Sequence, residues 1–323
     1  MNIILSMPND GQSNNYIINA LQDLQHNVYF LDHRFQLDFS RKQMKNILSN
    51  VNVDVVIVLH LLNGYTKEDL QSFKLISPQT KFVSWFFDVT FNGDIAHENA
   101  EFISLIKEYD YFFTVVRSHV EKFKEKNVNA YWAPEGCCPY SHMPLETVDE
   151  QKNKIKFFDV TFIGQIGHKT VHNDRIKLLT EISKKFKLCI YGYAYKIPKE
   201  LQRYHVGRPT YNDTEHNRIV GLSKINIGNS GWTDNGSFSA RNYRICAAAG
   251  FLLANRSKEL ENFYSNEEVA IYDSIDDCID KIDFYLKNPD QVDCMRWKAH
   301  QKTLENYTFR HSLSRIFKVI EEQ

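Results

Sequence analysis

Ser237-Phe-Ser-Ala-Arg241-Asn-Tyr-Arg244-Ile-Cys-Ala-Ala-Ala-Gly250-Phe-Leu-Leu-Ala-Asn255 is the stretch on which the reading of this chain turns. It begins polar, continues as a small-residue helix through Ala247, Ala248 and Ala249, turns at Gly250 and leaves as an apolar strand. Methyl side chains let such a helix approach its neighbours closely. The residues just before it, Asn235 to Arg241, fall at the helix N-terminus, where unbonded N–H groups and the helix dipole favour an anion. Arg241 adds a forked, permanently charged donor at the same end. The stretch reads either as a site for a phosphorylated ligand or as a packed αβ turn carrying a surface arginine.

Outward from it, strand-length apolar runs alternate with helix-length amphipathic ones. In the first half the runs Asn2–Ser6, Val28–Asp32, Val53–His60, Lys81–Asp88, Tyr111–Val115 and Asn129–Pro134 are separated by helical patterns. Around Glu146 to Lys156 the pattern lapses into a charged linker, then restarts with Asp159–Gly164, Lys187–Gly192, Lys224–Gly228 and Val269–Tyr272. Strands separated by helices predict parallel βαβ units with binding loops at the strand C-terminal ends. The expected fold is α/β, two Rossmann-like domains facing across a cleft. The chain closes on a long helix over Pro289–Tyr307 and an amphipathic tail carrying Phe309, Leu313, Ile316, Phe317 and Ile320.

The 323 residues suit two domains of ordinary size. With 39 basic and 40 acidic residues, net charge -1, nothing in the overall balance attracts nucleic acid or an anionic membrane. No apolar run approaches the ~20 residues that span a bilayer. The N-terminus lacks the basic flank and apolar length of a signal peptide. Six scattered cysteines form no CxxC pair, which fits a reducing, cytoplasmic setting.

The second half resembles the C-terminal domain of GT-B glycosyltransferases, and more narrowly the CgeB-like (spore maturation protein B-like) branch related to the group-1 glycosyltransferases. The resemblance rests on Phe158-Asp-Val-Thr-Phe-Ile-Gly-Gln165, Leu188-Cys-Ile-Tyr-Gly192, Ser239 to Leu253, and Glu305-Asn-Tyr-Thr-Phe-Arg310. Ser84-Trp-Phe-Phe-Asp88 and Tyr131-Trp-Ala-Pro-Glu135 extend it more loosely into the first half. It implies an acceptor domain over 1–150, a nucleotide-sugar donor domain over 151–305, and a helix over 306–323 packing back on the first domain. The implied reaction is metal-independent, retaining transfer of a sugar, of hexosyltransferase type, from a nucleotide-diphosphate sugar to an acceptor hydroxyl. No cofactor is implied beyond the donor as co-substrate; the acceptor stays open among glycan, lipid, protein and small molecule.

The resemblance assigns donor contacts to Gly164, Gln165, His168, Asn229, Ser230, Arg241, Tyr243 and Arg244. Gly164 and Gln165 follow a strand, so their backbone can approach a phosphate closely, or simply make a tight turn. Asn229 and Ser230 also end a strand, with turn chemistry as the alternative. Relatives usually carry a carboxylate for the ribose hydroxyls where this chain has Arg244, and a guanidinium cannot accept such bonds. Another acceptor replaces it, the nucleotide lies differently, Arg244 reads a phosphate, or donor binding is lost; the last makes a non-catalytic nucleotide-sugar-binding or assembly protein the alternative function. On the acceptor side, Asp88 and His60 end strands and are the candidate bases; Asp88 also reads as the cap of the following turn and His60 as a core histidine. Glu135 and Trp85 are candidates for contact with acceptor or sugar; the rings of Trp85, Phe86 and Phe87 read mainly as core.

Overall fold

The computed structural model describes residues 1–9, 13–59, 61, 64–87, 99–145, 156–166, 173–192, 197–207, 213–229 and 238–323. The chain divides into two units, 1–135 together with 309–323, and 136–308.

In the first unit, strands β1 (Asn2–Ser6), β2 (Asn27–Leu31), β3 (Val55–Leu59), β4 (Lys81–Phe86), β5 (Tyr111–Thr114) and β6 (Ala130–Trp132) form a parallel sheet in the order 2-1-3-4-5-6. Between them run α1 (Ser13–Asp23), α2 (Leu37–Asn50), α3 (Lys67–Ile76), α4 (Ala100–Ile106) and α5 (His119–Lys124). Central β3, Val-Val-Ile-Val-Leu, is buried along its whole length, as a parallel strand covered on both faces must be. The start of α3 is set by a capping box: Thr66 Oγ1 accepts the Asp69 N–H and the Asp69 carboxylate accepts the Thr66 N–H.

The second unit repeats the plan. Strands β7 (Phe158–Ile163), β8 (Leu188–Tyr191), β9 (His205–Gly207), β10 (Ser223–Gly228), β11 (Leu252–Asn255) and β12 (Ala270–Tyr272) are parallel in the order 12-11-10-7-8-9. The helices are α6 (Asn173–Lys185), α7 (Lys199–Gln202), α8 (Asp213–Gly221), α9 (Ala240–Ala247), α10 (Lys258–Phe263), α11 (Ile275–Lys287) and α12 (Pro289–Asn306). The last helix, α13 (Phe309–Glu321), belongs to the first unit, where Phe309 stacks on Tyr16 of α1 at 6.1 Å between centroids. No helix among the described residues is long and apolar enough to cross a membrane.

The stretch around Gly250 folds as a helix, a turn and a strand, with one change of detail. The left-handed turn residue is Ala249, at φ 53°, and not Gly250. The Gly250 N–H bonds the Ile245 carbonyl and the Ala249 N–H bonds that of Cys246, the paired bonds of a Schellman end. Gly250 is required for a different reason: a Cβ there would lie 2.4 Å from Val220 Cγ1. The unit boundary also differs from the linker at 146–156. It falls between Glu135 and Gly136, because Cys137 already bonds into the second unit through the Tyr307 carbonyl at 2.9 Å. Residues 146–155 lie outside the described residues.

Candidate functional site

In the second unit, β7 ends at Ile163 and the chain turns at Gly164, whose φ of 154° suits glycine. A Cβ on Gly164 would sit 2.3 Å from Arg241 Nη2, so only glycine leaves room for that guanidinium to lie against the backbone. Arg241 stands in the first turn of α9, where the Ser239 side chain accepts its N–H. Its Nη1 donates to the Asn229 carbonyl at 2.9 Å. Asn229 immediately follows β10.

A second arginine meets the first there. Arg175 of α6, 4% exposed, donates through Nη2 to the same Asn229 carbonyl at 3.0 Å and through Nη1 to the Gln165 carbonyl at 2.6 Å. Both guanidinium groups lie over the Phe162 ring, at 5.1 Å for Arg175 and 4.9 Å for Arg241. The Asn229 side chain in turn donates to the Tyr272 hydroxyl at 3.0 Å, at the end of β12. Gly164, Asn229 and Tyr272 thus mark the carboxyl ends of three parallel strands, the edge at which open α/β sheets bind ligands.

The cluster is under electrostatic load. Burial, then the neighbouring charges of Arg175 and Arg244, pushes the Arg241 guanidinium down to about 9. Burial pushes Arg175 down to about 10. Among the described residues, the one group opposing either shift is the Tyr272 hydroxyl, with no carboxylate contributing. A buried and a half-buried cation, with no acid between them among the described residues, form a site that gains from a bound anion.

Arg244, one turn along α9 from Arg241, is half-buried. Its charge reaches His142 and His216, where it adds to the burial that lowers both imidazoles; His216 falls to about 4 and His142 well below its ordinary value. His142 accepts the Cys138 N–H on Nδ1 at 3.0 Å, and its Nε2 lies 3.6 Å from Asp213 Oδ1. At the position where the resemblance predicts a carboxylate, this chain has an arginine beside two histidines whose protonation is disfavoured by burial and by that arginine.

The carboxyl edge of the first sheet carries a buried polar network. Ser6, the last residue of β1, has its Oγ 3.0 Å from His33 Nδ1 and donates to the Tyr65 hydroxyl, also at 3.0 Å. Tyr65 is bonded to Ser40 of α2 at 2.5 Å. His33 and Ser6 are fully buried, and Gly64 presses against the His33 ring.

Of the residues expected at a site, Gly164, Gln165, Asn229 and Arg241 come together, with Arg244 on the same helix. Two others are core residues of their own units. Trp85 is fully buried, donates its indole N–H to the Ala133 carbonyl at 3.0 Å and packs edge-on to Phe87 and Phe309, so it offers no ring face to a sugar. Tyr243 is 1% exposed within a cluster of Phe238, Phe263 and Tyr307. A residue two places from Arg241 on a helix points elsewhere, and here that direction is core. Glu135 is the half-buried last residue of the first segment. Asp88, His60, His168 and Ser230 lie outside the described residues.

Sequence reasoning missed Arg175, Tyr272 and His33. Arg175 did carry a signal: with Leu178, Leu179 and Ile182 it completes the buried stripe of α6, and a cation on an apolar stripe asks for a reason.

Residues 175–318 match the family model described as glycosyl transferase-like. No curated protein matches the sequence. The fold is similar to that of sucrose-phosphate synthase from Thermosynechococcus elongatus, with a TM-score of 0.71 at 8% identity, covering 100% of this chain and 98% of that one. It is similar to Anabaena HepE in complex with UDP, with a TM-score of 0.66 at 8% identity over 100% of both chains. A trehalose-6-phosphate synthase studied for glycosyl transfer with retention aligns with a TM-score of 0.64 at 10% identity over 100% of this chain and 99% of that one. The architecture is that of the GT-B glycosyltransferases.

Proposed function

We propose that this protein is a retaining glycosyltransferase of the CgeB-like branch, moving a hexose from a nucleotide-diphosphate sugar to an acceptor hydroxyl in the cytoplasm. The observation that carries the reading is the pair of arginines, buried Arg175 and half-buried Arg241, held on one carbonyl beside Gly164 with no carboxylate between them among the described residues. A diphosphate is the ligand such a site suits, and HepE, of like fold, binds UDP. As the anomeric C–O bond breaks, the electron pair leaves with the diphosphate, and fixed guanidinium and helix N–H donors stabilise the charge that develops there. The arginines would supply the charge neutralisation that a metal supplies elsewhere, so the reaction is assigned as metal-independent. The acceptor, a glycan, lipid, protein or small molecule, is assigned to the first unit, with Asp88 or His60 receiving the proton of the attacking hydroxyl.

Released nucleotide, measured over a panel of nucleotide sugars with and without acceptor mixtures, tests the reading. Turnover that falls at least tenfold in Arg241→Ala supports it, roughly the effect of losing one charged hydrogen bond. Full activity in that variant removes the assigned role of Arg241. Arg244 favours a second reading, a nucleotide-sugar-binding protein without turnover; saturable binding with no nucleotide release from any donor selects it.

A further inference from the structure

The second unit has a cavity at the opposite end of its sheet from Gly164 and Arg241. It lies where β10 and β11 begin, between Ser223 and Gly250 on the sheet side and the junction of α11 with α12 on the other. Its volume is about 130 Å³. A cavity of ~150 Å³ lined by apolar groups accommodates benzene, so this one matches a single six-membered ring or a short branched chain. Val220, Phe251 and Val292 form a buried apolar floor, with Tyr285 and Leu286 half-buried beside them.

The polar part of the wall is cationic. Among the described residues, Lys156, Lys224 and Arg296 line it, with the carboxylate of Asp293. Arg296 is 4% exposed and rigidly placed, donating Nε to Asp293 at 2.6 Å and Nη1 to the Ala249 carbonyl at 3.1 Å. Lys156 donates to the Gly221 carbonyl at 2.5 Å, and Lys224 bonds Asp159 at 2.7 Å. A fixed buried guanidinium beside an apolar floor, under a rim of lysines, recognises a compact molecule with one anionic end and one apolar end.

We propose that this cavity is a binding site for a small organic anion, a carboxylate or phosphate monoester on an apolar body of about one ring. The site is separate from the arginine cluster and takes a different ligand from the sugar donor.

Titration calorimetry on the 323-residue chain with benzoate and with phenyl phosphate tests this, and benzamide serves as the uncharged control. The expected result is one saturable site for at least one of the anions, about tenfold or more tighter than benzamide, as an anion held by fixed cations requires. Which anion binds tighter separates carboxylate from phosphate ligands. Val292→Trp fills the floor and Lys156→Met removes a rim cation; each weakens binding about tenfold or more while its circular dichroism stays native. Lys156 is half-exposed, so this second variant decides the matter if Val292→Trp does not fold. The proposal is overturned if neither anion saturates below ~10 mM, if benzamide binds as well, or if the folded variants bind as tightly as the native chain.

Discussion

Arg175 and Arg241 converge on the single carbonyl of Asn229, and the cost of holding two like charges together there, one buried and one half-buried, is the clearest chemical statement in the molecule. If the arginines hold a nucleotide diphosphate as proposed, Arg241→Ala weakens the binding of UDP by ~10–100-fold, the range of a charged hydrogen bond of ~1.5–3 kcal/mol. Calorimetric titration at two salt concentrations checks it, and Arg175→Met is expected to act in the same direction. The neighbouring histidines give a pH prediction. An unfolded imidazole takes its proton near ~6.5, whereas His216 in the folded protein does so only near about 4, chiefly because it is buried. Between those values the unfolded chain holds more protons, so stability falls as pH drops from 6.5 toward 4. Urea melts across that window should show a shallower slope in His216→Gln, by up to ~1.4 kcal/mol per pH unit for one proton. An unchanged slope would mean that the His216 proton is not linked to folding. At this scale the sequence was only half legible. Arg241 and Gly164 follow strands and helix starts that can be read directly, while Arg175 and Asn229 become partners only once β7 and β10 lie side by side.

At the scale of elements, the Gly164 turn decides whether α9 can bring its first turn to the sheet. An alanine there would carry its Cβ to 2.3 Å from Arg241 Nη2 while holding a φ of 154°. Gly164→Ala should destabilise the second unit by ~1–3 kcal/mol and also displace the guanidinium, so UDP affinity falls with Tm. A variant that loses stability but keeps full affinity would separate the turn from the site. The capping box of α3 makes a cleaner control, since Thr66→Ala should cost the first unit about 1 kcal/mol without touching the arginines. The legibility of elements follows burial. The apolar run of β3 is visible in any window because both its faces are covered. The edge strand β9, His205-Val-Gly207, has a half-exposed surface and only three residues, so nothing local announces it; its pairing with β8 creates it. Likewise the left-handed residue after α9 is Ala249, because Gly250 is needed where Val220 leaves no space for a side chain.

The chain as a whole is divided in a way that its order conceals. Residues 136–308 make one unit, and the final 309–323 complete the other. What ties α13 to the first unit is aromatic packing: Phe309 lies against Tyr16 and Trp85, and Phe317 against His26. Phe309, Leu313, Ile316 and Phe317 are all buried on that face, the same stripe that the amphipathic tail shows in sequence. Removing a buried phenylalanine side chain typically costs ~3–5 kcal/mol, so Phe309→Ala should lower the stability of the first unit by that amount. A chain ending at Thr308 loses the whole face and should leave the first unit unfolded or molten. The second unit retains its sheet, its arginines and its own core in that truncation, because no residue of 309–323 belongs to it. The truncated protein should therefore show one cooperative thermal transition of reduced enthalpy and, on the proposed donor role of the arginines, keep whatever affinity for UDP the whole chain has. Hydrogen exchange locates the loss: amides of β1 to β6 exchange freely, and those of β7, β10 and β11 stay protected. Loss of protection in both sheets together would mean that the second unit depends on the first for its stability, and that the two fold as one cooperative body.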